Sequence, residues 1–440
     1  MQLKNFLSII LCLIAGAQFV APVDATNRVP AASLTSTEAR IVEASKQNYP
    51  DALKLLERVV NINSGTLNMN GVRQVGEIFA NEFQNIGFKT SWKVLPPEIG
   101  RAGHLFAENE GNHGKRLLLI GHLDTVFEKE RAFQPFTKKD SRATGQGVND
   151  MKGGDVVILY ALKALKQAGQ LHNTRIIVAL LGDEEKPGQP VAISRKDLVD
   201  AAKRSDIALG FETAESMDTA TIARRGVSTW VLRATAPQSH SSGIFTAEAG
   251  SGAIFEISRI LFQFHDQLRG EKYLTFNPGA ISGGTDVTYD PEKSQGSAFG
   301  KTNVVARSAI AEGDLRFISE QQRDQAQERM RKIVSNHLPK TSAEISFEDS
   351  YPPMPPTEGN NQLLEIFDQV SRDLGYGKVA AYDPGGRGAA DISFVVSYVD
   401  GLDGLGVMGS GSHTDQEDLE LTTMPAIIER TALFIYRLTK

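Results

Sequence analysis

The sequence predicts an α/β protein: a mixed, largely parallel sheet flanked by helices, with a smaller α+β domain inserted. Three observations predict it. Short apolar runs alternate with stretches of helical apolar spacing in both the first and last parts of the chain, as expected of strands covered on both faces by helices. Acidic residues stand at the end of run after run, where open α/β sheets bind ligands. From about residue 226 the pattern changes to strands with polar alternation, and Pro352-Pro353-Met354-Pro355-Pro356 then reads as a rigid return linker.

The chain has 440 residues, enough for two domains. A hydrophobic content of 41% with 23% charged residues is that of a globular protein. The formal net charge of -6 argues against a nucleic-acid or anionic-membrane partner. Residues 1–25 read as a secretory signal peptide: Lys4, an apolar stretch over 6–20, and Val23-Asp24-Ala25 as the cleavage site. That apolar stretch is short for a membrane span. A lipoprotein would use Cys12, but the bulky Leu11 precedes it. Cys12 is the single cysteine, so the mature protein makes no disulfide, and any metal site must use His, Asp and Glu. The expected location is the periplasm of a Gram-negative source or otherwise the exterior, with no membrane contact after cleavage. The expected division is signal peptide 1–25, first part of the main domain 26–225, inserted domain 226–349 and second part 350–440.

In chain order, helices are expected over 37–47, 51–60 (starting after Pro50) and 71–86, with Gly87 as the stop. Strands follow at 89–95 and 104–110. The run from Arg116 through Leu117-Leu118-Leu119-Ile120 is a buried strand, and it breaks at Gly121 to deliver His122 and Asp124. Gly145 to Asp155 is a glycine-rich loop before a helix over 156–168. Strands at 174–181 and 207–210 end in Asp183-Glu184-Glu185 and Glu212. The inserted domain reads as a strand at 229–234, a helix at 250–268, strands within 273–283 and 302–317, a helix at 319–337 and a strand at 343–347, a small α+β pattern. The remainder reads as a helix at 363–374, a strand at 379–382, the Gly385-Gly386-Arg387-Gly388 loop, a helix at 392–398, a strand at 405–408 leading to His413, and a helix at 424–438.

The strand ends gather His122, Asp124, Asp150, Glu184, Glu185, Glu212 and His413. So many carboxylates close together are costly unless cations compensate. Two divalent metals do so, and imidazole with carboxylate suits zinc, with cobalt or manganese as alternatives. In this arrangement His122 and Glu212 hold one metal, Glu185 and His413 the other, and Asp150 bridges. Metals about 3.5–4 Å apart share and acidify a water. Glu184 and Glu185 are neighbours and point apart in an extended segment, so one can ligate while the other faces that water as general base.

These segments resemble the co-catalytic zinc metallopeptidases that include glutamate carboxypeptidase, aminoacylase, acetylornithine deacetylase and succinyl-diaminopimelate desuccinylase. Gly121 to Val126, Gly147 to Gly154 and Asp183-Glu184-Glu185 are similar to that family's signatures. The resemblance implies a zinc-exopeptidase-like catalytic domain with a ferredoxin-like lid and dimerisation domain, Glu184 as the general base, and Asp124 as a carboxylate supporting His122. It implies that His240, in Ser239-His240-Ser241-Ser242, reaches a neighbouring subunit's active site. Asn303 and Arg316 resemble lid residues that hold a substrate carboxylate, and the Gly385-Gly386 loop is expected to offer backbone N–H groups to the same end. The chain departs from the family at Arg387-Gly388-Ala389-Ala390-Asp391, so Arg387 is either a contact for an acidic substrate or a solvated charge. Arg224-Arg225 reads as a hinge charge pair rather than a substrate contact. The expected activity is hydrolysis of an amide next to a free carboxylate in a small peptide or N-acyl amino acid. The leading form is an exported di-zinc carboxypeptidase releasing a residue such as glutamate, and the alternative is an N-acyl-amino-acid deacylase. A non-catalytic binding protein on the same scaffold is the rival from another class.

Overall fold

The computed structural model describes residues 34–290 and 295–440. The expected signal peptide lies outside the described residues. The described chain opens with α1 (Ser36–Val60), whose start is a capping box: Thr35 Oγ1 accepts the Glu38 N–H, and Glu38 accepts the Thr35 N–H. The expected break at Pro50 does not occur. One 25-residue helix runs through it, because the buried Ile41, Ala44, Leu55, Leu56 and Val59 form one apolar face that packing holds in line. Next come α2 (Met69–Asn85), β1 (Lys89–Lys93), β2 (His104–Glu110), β3 (His113–His122), α3 (Lys152–Gln167), β4 (Thr174–Leu181), α4 (Lys196–Ala202) and β5 (Ile207–Gly210).

The inserted segment follows with β6 (Gly226–Thr235), α5 (Ala253–Leu268), β7 (Thr275–Gly284), β8 (Asp286–Asp290), β9 (Gln295–Phe299), β10 (Ser308–Phe317), α6 (Glu320–Val334) and β11 (Ser342–Tyr351). The chain finishes with α7 (Glu358–Asp373), β12 (Asp400–Leu402) and α8 (Met424–Thr439).

The central sheet has the order β1-β2-β4-β3-β5-β12. β3, β4, β5 and β12 are mutually parallel, and β1 and β2 are antiparallel additions at one edge. Alternation along β3 divides the core. Leu117 and Leu119 pack into the cluster shared with α1, α2, α3 and α8, whereas Leu118 and Ile120 face the cluster holding Leu198, Ala201 and Ala202 of α4. No helix among the described residues is long and apolar enough to cross a membrane.

The inserted segment forms an antiparallel sheet of its own, β7-β10-β6-β11. Its separate core centres on Trp230, Leu232, Ile260, Phe264 and Leu315, and the Trp230 and Phe264 rings meet edge-on at 6.0 Å.

Two further expectations change, and one hairpin was missed. The helix at 392–398 is only a 3-10 turn, Asp391–Phe394, whose first side chain is held by Arg195. The strand at 405–408 is irregular; its backbone follows the sheet through Leu405 N to Gly210 O and Gly406 N to Glu212 O, and the true edge strand is β12. The β8–β9 hairpin was not legible, because every residue of β9 is exposed and carries no apolar alternation.

Candidate metal centre

The parallel strands all point their carboxyl ends at one cleft of about 380 Å³, lined by Asp150, Glu184, Glu185, Glu212, Arg224, Arg387 and His413 among others. β3 delivers His122. Its Nδ1 lies 3.0 Å from the Asp124 backbone oxygen, which fixes the ring and leaves Nε2 as the nitrogen available to a metal. Nε2 is buried without a hydrogen-bond partner, 3.3 Å from Asp150 Oδ1 and 3.8 Å from Glu212 Oε1. His413 sits on the turn between two short strands, Gly409–Ser410 and Asp418–Glu420. There it holds a positive φ of 68°, a conformation costly for a residue with a side chain. Its Nε2 is 3.2 Å from both Asp150 Oδ2 and Glu185 Oε2.

Two triads result, His122–Asp150–Glu212 and Asp150–Glu185–His413, and they share Asp150. They fit a pair of divalent cations. Around a tetrahedral zinc with ligands about 2.0–2.1 Å away, neighbouring donor atoms lie about 3.3 Å apart, close to the spacings seen. The orphaned Nε2 of His122 and the buried, unpartnered Oε1 of Glu185 are the atoms a cation would satisfy.

The electrostatics point the same way. Burial would depress the His122 imidazole, yet Asp124 and Asp150 outweigh it and hold it well above its ordinary value. Asp150 and Glu185 raise His413 to about 11. Burial pushes Glu212 up to about 8 and raises Glu184 well above the usual carboxylate range. Without metal, then, the imidazoles, Glu184 and Glu212 hold protons more tightly than usual, whereas Asp150, against both imidazoles, is held below the usual carboxylate range.

Asp124 does more than stand beside His122. Its Oδ1 accepts the Glu184 N–H at 3.0 Å, and Oδ2 accepts the Glu185 N–H at 3.1 Å and the Thr66 hydroxyl at 2.6 Å. One buried carboxylate thus ties the end of β3 to the acidic pair after β4. Gly121, just before His122, has no room for a side chain: a Cβ would stand 2.1 Å from Asp155 Oδ1 on α3.

The remaining expected residues are placed elsewhere. His240 and Asn303 adjoin on the inserted domain, where Ser241 N donates to Asn303 O, and the His240 ring turns to Ser242. Arg316 pairs with Asp314 at 2.9 Å. None of the three lines the metal cleft. Gly386 does line it, but the Gly385 and Gly386 N–H groups both donate to Asp383, so the loop does not present them as free donors. Arg387 lines the cleft and is not a solvated charge, and its Nε has no hydrogen-bond partner. It is buried at 8% exposure, bonded to Glu215 and to the Thr213 carbonyl. Arg224 is buried against Asp403 at 2.6 Å, and its backbone pairs with Met354 where the chain enters and leaves the insertion. Arg225 donates to Thr275 and to Gly385 O.

Two residues escaped sequence reasoning. Glu417, buried, accepts the N–H groups of Gly147, Asn149 and Asp150 at 2.9–3.0 Å, and burial raises it to about 7. It braces the Asp150 loop against the His413 loop. Its signal was a carboxylate four residues after His413, opposite a glycine-rich loop full of donors. Arg195 is the other: fully buried, it lies between Asp183 and Asp391 at 2.6 Å each. Nothing local marks it.

Comparison with known proteins agrees. Residues 118–437 match the model of peptidase family M20/M25/M40. The chain is 26% identical to carboxypeptidase G2 of Pseudomonas sp. (strain RS-16) over 423 residues, covering 94% of this chain and 96% of that one. It is 24% identical to succinyl-diaminopimelate desuccinylase of Gluconobacter oxydans over 361 residues, covering 79% and 87%. Among solved structures, aminopeptidase PepT of Bacillus cereus aligns over 89% of this chain and 99% of its own with a TM-score of 0.71 at 15% identity. A Bacillus subtilis protein described as a dinuclear metal-binding peptidase aligns over 90% and 99% with a TM-score of 0.64 at 13% identity. With the family model spanning most of the chain and both sheets in place, this protein belongs to peptidase family M20/M25/M40 and is a metal-dependent peptidase or amidohydrolase.

Proposed function

We propose that the protein is an exported di-zinc carboxypeptidase that cleaves the amide next to a free C-terminal carboxylate and releases a residue such as glutamate. The observation that carries this reading is the pair of ligand triads sharing Asp150 beside Glu184 in one cleft. When bound, the two metals supply Lewis acidity toward the scissile carbonyl and the attacking water. The protein's own groups do the rest. Glu184 takes a proton from that water and passes it to the leaving amine, a role suited to a carboxyl that burial raises above the usual carboxylate range. Asp124 holds the Glu184 and Glu185 main chain in place through both N–H groups.

In this reading Asn303 and Arg316 receive the substrate carboxylate, beside the Gly385-Gly386 loop. A homodimer formed through the inserted domain presents His240 to a neighbouring active site. Support for the dimer is an apolar surface on that domain: Phe245, Phe255, Phe262 and Ile281 are 52–68% exposed. Light scattering that finds a fully active monomer removes this part. Export is tested by sequencing the mature N-terminus, expected at Thr26.

The deacylase reading is favoured by the likeness to succinyl-diaminopimelate desuccinylase and uses the same centre. Purified, zinc-loaded protein is to be assayed on folyl- and peptidyl-glutamates against N-acetyl amino acids. Turnover of the glutamates supports the carboxypeptidase, and turnover confined to the acetylated set overturns it.

A further inference from the structure

We propose that Tyr351 is a positioning residue for Glu184, through which the inserted domain holds the main chain of the general base. The inference rests on the reading of Glu184 given above. Tyr351 is the last residue of β11 and pairs with Val227 of β6, so it belongs to the inserted sheet. Its hydroxyl leaves that sheet and donates to the Glu184 carbonyl oxygen at 2.8 Å. The N–H of the same residue donates to Asp124. Glu184 is therefore gripped at both ends, by Asp124 just beyond β3 of the main domain on one side and by the insertion on the other.

The phenol is itself held. Arg195 Nη2 lies 3.3 Å from the Tyr351 oxygen and 3.1 Å from the Asp183 carbonyl. The remaining arms of Arg195 are fixed by Asp183 and Asp391. The Phe394 ring packs on Tyr351 with centroids 5.0 Å apart. A hydroxyl that accepts from a guanidinium donates more strongly in turn. Its direction is therefore set: it accepts from Arg195 and donates to Glu184. A general base must sit within a fraction of an ångström of its proton's path, and small misplacements cost rate rather than binding. Three residues beyond Tyr351, the chain re-enters the main domain, where Met354 pairs with Arg224. The seat of the insertion on the main domain thus sets the position of Glu184.

The test uses full-length, metal-loaded enzyme carrying Tyr351→Phe, Glu184→Gln or both. Tyr351→Phe is expected to lower kcat about tenfold, about 1.4 kcal/mol in the barrier. KM should stay within about twofold and bound metal should be unchanged. In the Glu184→Gln background, Tyr351→Phe should cost nothing further, because a residue acting through Glu184 has no one left to position. Phe394→Leu, which loosens the phenol without removing it, should show a smaller loss of the same kind and covers the case in which Tyr351→Phe folds poorly. Full kcat in Tyr351→Phe, or losses that multiply in the double variant, would overturn the positioning role while leaving the general base intact. A Glu184→Gln enzyme with wild-type kcat would instead overturn the general-base reading and this one with it.

Discussion

Asp183, Glu184 and Glu185 are consecutive, yet they belong to two opposite kinds of buried charge. Asp183 faces Arg195, and with Asp391 the three form a cluster whose cation is built into the chain. Glu184 and Glu185 face Asp150, Glu212 and two imidazoles, a cluster with no fixed cation. The first cluster carries its own cation, and its Asp183 carboxyl is held below the usual range despite burial, chiefly by Arg195, although burial raises Asp391 and leaves its Oδ2 without a hydrogen-bond partner. The second has carboxyls raised by burial and a histidine nitrogen with nothing to bond. The difference separates structural charge from functional charge: the first cluster has a guanidinium from the chain at its centre, and the second has none.

The sharpest break in that comparison is Glu184→Gln. It should reduce kcat by about 10³–10⁴-fold while metal content and melting temperature stay near wild type; retained turnover would count against the general-base role. On the structural side, Arg195→Met should leave two buried carboxylates unpaired and destabilise the fold by ~3–5 kcal/mol in urea unfolding. Little loss there would mean that the two clusters are less different than their geometry. Removing metal is expected to abolish activity, and restoring zinc at about 100 times its Kd should add ~2.7 kcal/mol of stability. Identical melting of stripped and loaded protein would contradict the incomplete-cluster view.

The smallest effect concerns His104, which supports the structural cluster by bonding Ser194 O at 2.9 Å and accepting the Gly182 N–H. Burial holds this imidazole below its ordinary value of 6.5, with Asp183 offsetting only part. The unfolded chain takes up a proton that the folded one resists, so this stability is present above pH 6.5 and is lost as pH falls below it. The melting temperature of wild type should therefore drop more between pH 7 and pH 5 than that of His104→Gln. Parallel curves would rule the histidine out as the cause.

The sequence was most legible where chemistry and periodicity coincide. His122, Asp150, Glu185, Glu212 and His413 follow apolar runs or glycine loops, and the structure gathers all five into two triads sharing one residue. The parallel sheet and the separate antiparallel one were visible in the two styles of alternation. What stayed hidden depends on contacts between distant segments. Arg195 and Tyr351 look like ordinary surface-helix and strand-end residues until the fold brings 183, 195, 351 and 391 together. Arg387 read as a charge near the cleft, and only the position of Glu215 shows why it turns inward. Pro50 read as a boundary because local propensity says so, and packing of the α1 face overrode it.

Gly121 carries a consequence for how such an enzyme can change. Because a single methyl there would strike the Asp155 carboxylate, any substitution beneath His122 forces a buried side chain to move. The wall formed by Thr213, Glu215 and Gly386 to Ala389 is built of loops, which tolerate exchange far better than a packed strand. Libraries aimed at new substrates should therefore vary that wall and leave the strand alone, and natural divergence in specificity is expected to have taken the same route.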